Sequence, residues 1–355
     1  MRKNIYAVTL LLLIAACDDS NGPRNPPRSD AVFIDRGLDG IEVVALEQTA
    51  STLIAATSSG IYKYVGGDDW VLVSPADWKA IAITALYPCH LLASVETPAG
   101  EFRLVESLNS GDSWNAVGNN FGGTDNSQSE PIKAIRFDDA SGVLFATGYD
   151  VLARSSDFGR SWAVVNGAWQ GFATGLSALK YSSQYRDIWY GGQDAIENPS
   201  LRRTDRDTGG SENLSTKVSE LLERPSTIKS VVFYPFAEQT VFVSGEGGVL
   251  RSTDYGQSWS PVLVNETSRF YFDVVVDAKT GTAYSAGWDK DYDNPQPLIL
   301  DFSNDGGQTW QSREYQGAAI QGGVWSLLLA EFGKDQQLFI GLQGGGVYEV
   351  EMENL

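Results

Sequence analysis

The chain has 355 residues, 42% apolar and 20% charged, with 37 Gly, 10 Trp, two Cys, one His and a formal net charge of -19. A chain of this size buries a full core without staples. Its acidity denies it the basic field that nucleic acid or an anionic membrane surface demands, and a single His excludes imidazole metal clusters.

Residues 1–16 read as an address. Arg2 and Lys3 precede an apolar run from Ile5 to Ala16 that is too short to span a bilayer and has the layout of a secretory signal peptide. The run closes on Ile14-Ala15-Ala16-Cys17, which resembles the bacterial lipobox, where the Cys becomes the acylated first residue of a mature lipoprotein. Acylation of Cys17 would supply the lipid chains that stable anchoring takes. Residues 17–30 form the expected tether, because Asp18 to Arg28 is rich in Pro, Gly and Asn and cannot build a core. With Cys17 acylated, Cys89 is the one remaining thiol and no intramolecular disulfide forms. The expected location is the cell envelope, lipid-anchored, periplasmic or at the cell surface.

From residue 31 to 355 the chain is a repeat. The pattern Ser-x-Asp-x-Gly-x-(Ser/Thr)-Trp recurs at 155–162 (Asp157, Gly159, Trp162), 252–259 (Asp254, Gly256, Trp259) and 303–310 (Asp305, Gly307, Trp310). A fourth copy, Ser107 to Trp114, carries Asn109 in place of the Asp. Each copy follows a β-branched or aromatic run and a Gly-containing hairpin, which reads as strand, turn, strand. Weaker units at 52–70, 187–213 and 337–350 bring the total to seven, and in the second of them Thr204 to Gly210 is a degraded box.

The octapeptide resembles the Asp-box, or BNR repeat, of sialidases, sortilin-type receptors, certain xyloglucan-degrading glycosidases and photosystem II assembly factors. The resemblance implies an all-β fold: one seven-bladed β-propeller of four-stranded antiparallel blades over residues 31–355. The seventh unit stops after its third strand at Val347 to Met352, so Ala31 to Ile34 is expected to supply the missing outer strand and close the ring. Box residues are expected to be structural: the Gly takes positive φ, the carboxylate accepts from turn amides, and the Trp packs between strands. In sialidases the boxes lie opposite the active site, and the same is expected here.

Binding is therefore expected on the other rim, built from second-to-third-strand turns and blade-to-blade connections. Two turns are expanded, Gly192 to Pro199 with Asp194 and Glu197, and Gly287 to Pro295 with Trp288, Asp289, Asp291 and Asp293. Other units send Glu96, Tyr149, Asp150 and Glu246 to this rim, and the connections bring Trp78, Trp169 and Tyr271. Aromatic faces beside carboxylates suit a sugar ring or an aromatic peptide residue. Asp289, Asp291 and Asp293 alternate as at the start of many calcium loops. The usual Gly and distal Glu are missing and Pro295 follows at once, so a solvated loop without cofactor is expected, with calcium as the alternative.

Sialidase chemistry needs three substrate-binding arginines, a Tyr-Glu pair and an Arg-Ile-Pro motif, and the sequence has no Arg-Ile-Pro. A glycoside hydrolase would have to use Asp194 or Glu197 with Asp289 as its acid and base. The reading that results is a monomeric envelope lipoprotein whose propeller binds or scaffolds a carbohydrate or an envelope protein, with a carbohydrate-active enzyme as the alternative.

Overall fold

The computed structural model describes residues 33–355 except 51, 125, 174, 265–268, 290–294 and 316–322, so the lipobox Cys17 and the tether lie outside the described residues. Short β-branched and aromatic runs separated by tight turns pair with their neighbours in sequence, and the chain forms seven four-stranded antiparallel sheets. Blades 1 to 6 occupy residues 43–72, 79–117, 134–167, 175–213, 228–264 and 270–315, each in simple sequence order. Blade 7 takes its three inner strands from residues 324–350 and its outer strand from Phe33–Asp35. The architecture is the seven-bladed propeller that the repeat implies.

The core is divided among the blade interfaces. Ile54 and Ile61 of blade 1 pack with Leu91 and Val105 of blade 2, and Leu92 and Leu104 of blade 2 pack with Ile135 and Leu144 of blade 3. The series continues around the ring until Phe339 and Val347 of blade 7 meet Val43 and Leu53 of blade 1. Each blade therefore buries both faces, one against each neighbour.

Over the described residues the closing strand runs from Phe33 to Asp35, and residues 31 and 32 of the expected Ala31–Ile34 lie outside the described ones. Its register, Phe33 with Val350, Ile34 with Glu349 and Asp35 with Tyr348, follows the strand period of two. Phe33 enters the cluster between blades 6 and 7 and Asp35 is exposed. Arg36 extends the clasp: its backbone N–H donates to the Val347 carbonyl at 2.8 Å, and its guanidinium sits 2.7 Å from the Glu349 carboxylate.

The boxes lie between third and outer strands and share one hydrogen-bond pattern. In blade 5, Ser252 Oγ donates to Asp254 Oδ1 at 2.8 Å and accepts from the Gly256 N–H at 2.8 Å. Asp254 in turn accepts from the Ser258 N–H at 2.8 Å and from Ser258 Oγ at 2.5 Å. In blade 2 the last bond is reversed, with Asn109 Nδ2 donating to Ser113 Oγ at 3.0 Å. The degraded box keeps one element, since Asp205 Oδ1 accepts from the Thr208 N–H at 2.6 Å and Thr208 Oγ1 at 2.7 Å. Gly256 has φ +85°, and a Cβ there would stand 2.6 Å from Trp189 Cη2 of blade 4, so the glycine serves the turn and the blade interface together.

Deleting residues 18–28 should leave the melting temperature unchanged, whereas deletion of 18–36 should lower it by roughly 10 °C, because a buried Phe, a strand pairing and an ion pair go together. Equal thermal midpoints for the two deletions would show that the ring does not depend on this clasp.

Candidate functional site at the channel mouth

The described members of the expected rim set lie on the face opposite the boxes, and most are engaged within their own blades. Asp194 staples its turn on blade 4, accepting at Oδ1 from the Ile196 N–H at 3.0 Å and the Asn198 N–H at 2.8 Å. Glu197 is exposed in that turn with φ +62°. On blade 6, Asp289 pairs with Arg269, Oδ1 to Nε at 2.7 Å and Oδ2 to Nη2 at 3.2 Å. Trp288 is only 2% exposed and stacks on Phe270, so its ring fills a packing position and offers no face at the surface. Glu246 and Tyr271 are buried. Trp169 is half-buried edge-on against Phe121, and Trp78 packs against the core between blades 1 and 2.

Glu96, Tyr149 and Asp150 are half-buried. Asp291 and Asp293 lie outside the described residues. Among the described residues no three His, Cys, Asp or Glu side chains group as metal ligands. Cys89 is exposed and free.

A different set of residues converges on the ring axis. The seven inner strands enclose a channel of about 590 Å3. Six of them carry a register irregularity at their first residues, as at Val43/Ala45, Ile228/Ser230 and Val324/Ser326. A bulge re-aims the extra side chain; in blade 3, whose inner strand pairs regularly, Lys133 stands just before the strand instead, and together these half-buried residues line the mouth opposite the boxes. Blades 3, 4 and 5 contribute Lys133, Ser177 and Lys229, and blades 6 and 7 contribute Phe272 and Trp325, with Val44 and Ile81 completing the circle. Deeper in the channel, three residues further along their strands, lie Glu47, Arg136 and Lys180.

The electrostatics of this channel oppose those of the whole chain. Burial pushes Lys229 down to about 8, and the Lys133 charge adds to the shift. Burial also lowers Lys133 and Lys180, against the pull of Glu96 on the first and of Asp273 and Glu238 on the second. The channel carboxylates Glu47 and Asp273 are raised, again chiefly by burial. Asp273 is tied to backbone, accepting from the Val274 N–H at 2.9 Å and the Leu327 N–H at 3.4 Å. Lys229 Nζ sits 4.9 Å over the Phe272 ring, and Phe272 stacks on Trp325 at 5.4 Å with 10° between planes. The sequence signal for this site is a charged residue inside an apolar inner strand, as in Ile228-Lys229-Ser230-Val231 and Ala178-Leu179-Lys180-Tyr181.

A second, polar cleft of about 390 Å3 lies on blade 4, between the Asp194 turn and the short helix Ser215–Ser219, and is lined by Arg202, Asn198 and Asn213.

No family model matches the chain, and no curated protein does. Solved structures do match. The extracellular domain of a one component system from B. thetaiotaomicron aligns at TM-score 0.64 and 12% identity, covering 91% of this chain and 40% of that one. A GH74 xyloglucanase from Xanthomonas campestris aligns at 0.66 and 15%, covering 90% and 53%, and the Niastella koreensis GH74 enzyme at 0.58 and 13%, covering 89% and 60%. The chain thus spans 40% to 60% of the length of these three. At this identity the likeness shows the propeller fold alone. Among the described residues no helix is long and apolar enough to cross a membrane.

Under the rim, Asp301 of blade 6 is 1% exposed, and its Oδ2 has no hydrogen-bond partner among the described residues. Burial raises its carboxyl to about 6, while a bond from Ser312 and the Arg269 charge oppose the shift. An acid whose pKa is higher folded than unfolded binds more protons when folded, so its stabilising contribution grows as pH falls from about 6 towards about 4 and is lost as pH rises through 6. Asp301→Asn should therefore raise the melting temperature at pH 8 and leave it nearly unchanged at pH 4. A mutant no more stable than wild type at pH 8 would contradict a buried, largely uncompensated charge.

Proposed function

We propose that the protein is a cell-envelope lipoprotein whose propeller binds a ligand, a carbohydrate or a segment of an envelope protein, at the channel mouth opposite the boxes. The observation that carries this reading is the mouth itself, where a cavity of small-molecule size brings together an aromatic pair and cationic side chains from separate blades.

The direction of the closing strand sets the side of the ring from which such an anchor would be reached. Phe33 pairs with Val350, at the end of the third strand from which other blades enter their boxes. A chain rising from an acylated Cys17 would therefore join the ring on the box side, the side away from the mouth. Fifteen residues, 18–32, separate Cys17 from Phe33, a reach of up to about 50 Å, which allows the ring to stand clear of lipid head groups.

A glycoside hydrolase gains little from the expanded turns, because Asp194 is committed to its own turn and Asp289 to Arg269.

Intact-mass analysis of the membrane-derived protein should find cleavage before Cys17 and a diacylglyceryl thioether on it; an unmodified or uncleaved Cys17 would remove the anchoring. On mixed glycan and peptide arrays, binding should be lost in Trp325→Ala and kept in folded Trp310→Ala, whose ring belongs to a box. An array without hits, or hits indifferent to Trp325, would leave a scaffold whose contacts lie on its flank.

A further inference from the structure

We propose that the channel mouth selects a small ligand bearing an anionic group, a carboxylate or a phosphate, on a flat body, with the anion held between Lys133 and Lys229 and the body laid against Trp325. This rests on the mouth being the ligand site and names the chemistry that the site takes.

Charge inversion is the first support. The chain as a whole is at -19, yet the channel gathers Lys133, Arg136, Lys180 and Lys229 against Glu47 and Asp273. Surrounding acidity excludes anions by long-range repulsion, so a cationic pocket inside it binds only a ligand that makes close, desolvated contact.

The second support is that these lysines stand without counter-ions. Arg36, Lys63, Arg186, Arg203, Arg206 and Arg269 each have a carboxylate within 4 Å, whereas among the described residues Lys133, Lys180 and Lys229 have none. Holding ammonium groups half-buried and within reach of one another's charge is costly unless an anion joins them. The lowered Lys229 pKa of about 8 expresses that cost, and part of it comes from Lys133 directly. Glu96 eases Lys133 at longer range, and among the described residues no carboxylate does the same for Lys229. Lys229 is thus the principal anchor.

The third support is the division of the mouth. Its cationic side spans blades 3 to 5 and its aromatic side blades 6 and 7, so one ligand can meet both. Phe272 lies between Lys229 of blade 5 and Trp325 of blade 7, which leaves Trp325 as the ring for a sugar face or an aryl group. A volume of about 590 Å3 admits a monosaccharide or a comparable molecule.

Reductive 13C-dimethylation keeps lysine charge and gives each ammonium an NMR signal. In the mature protein the Lys229 signal, assigned by its loss in Lys229→Met, should titrate near pH 8 at low salt. Glucuronate, benzoate, glucose 6-phosphate or inorganic phosphate should move that midpoint upward, and neutral glucose and benzyl alcohol should not. A response to glucuronate or benzoate alone identifies a carboxylate ligand, and a response to the phosphates alone a phosphate ligand. By calorimetry, Lys229→Met should weaken the best anion about tenfold or more, Lys133→Met less, and Lys229→Arg least. The wild-type titration needs no variant to fold. If no anion moves the Lys229 midpoint, or if Lys229→Met binds the anion as tightly as wild type, the proposal is overturned. Array hits that are neutral and still depend on Trp325 would then preserve the mouth as a ligand site while refuting its anion selectivity.

Discussion

Every blade has two apolar faces, and the whole structure depends on each face finding a neighbour around a closed circle. A four-stranded sheet alone would leave both faces in water. The clusters that join blade to blade, from Ile54 with Leu91 to Phe339 with Val43, are therefore the fold's stability as well as its geometry. The box glycines belong to the same constraint, since Gly111 approaches Ile54, and Gly256 approaches Trp189, too closely to admit a side chain. Closure by Phe33–Asp35 completes the circle and gives blade 7 the same four strands as the other six.

A closed ring also creates a place that no single blade contains. Lys133, Lys229 and Trp325 are nearly two hundred residues apart from first to last, and they meet only because seven inner strands surround one axis. Bulges at the starts of the strands of Lys229 and Trp325 turn an extra side chain towards that axis, where regular pairing would alternate it into a blade interface. The channel is thereby decoupled from the box side: turn chemistry holds the ring, and the mouth is free to vary in charge. An acidic exterior around a cationic mouth gives the site its selectivity by contrast.

The architecture was legible because its signal is local and repeated. Each box states its own turn, and the spacing of Trp114, Trp162, Trp259 and Trp310 counts the blades even where Asn109 or Asp205 departs from the pattern. The closing strand was legible because a missing outer strand can be inferred from the seventh unit, while its register is set by where Phe33 packs between blades 6 and 7. The rim was less legible. Trp288 reads as a surface platform in a long acidic turn, but Phe270 and Phe272 close over it, a contact between strands that turn composition does not encode. The channel lysines escaped notice for a related reason: a one-residue bulge reverses which face a strand position occupies, so Lys229 and Trp325 could be assigned to the axis only once the register was known.

The account turns on Lys133 and Lys229 forming one anion site at the mouth. Crystals of the mature protein grown with selenate, an anion located by its anomalous scattering, test this directly. The account predicts a selenium peak roughly 4 Å from both ammonium groups, each donating to a selenate oxygen at about 2.8 Å, on the blade 3 to 5 side of the mouth opposite Trp325. A channel free of selenate, with the two lysines drawn apart onto carboxylates, would contradict it.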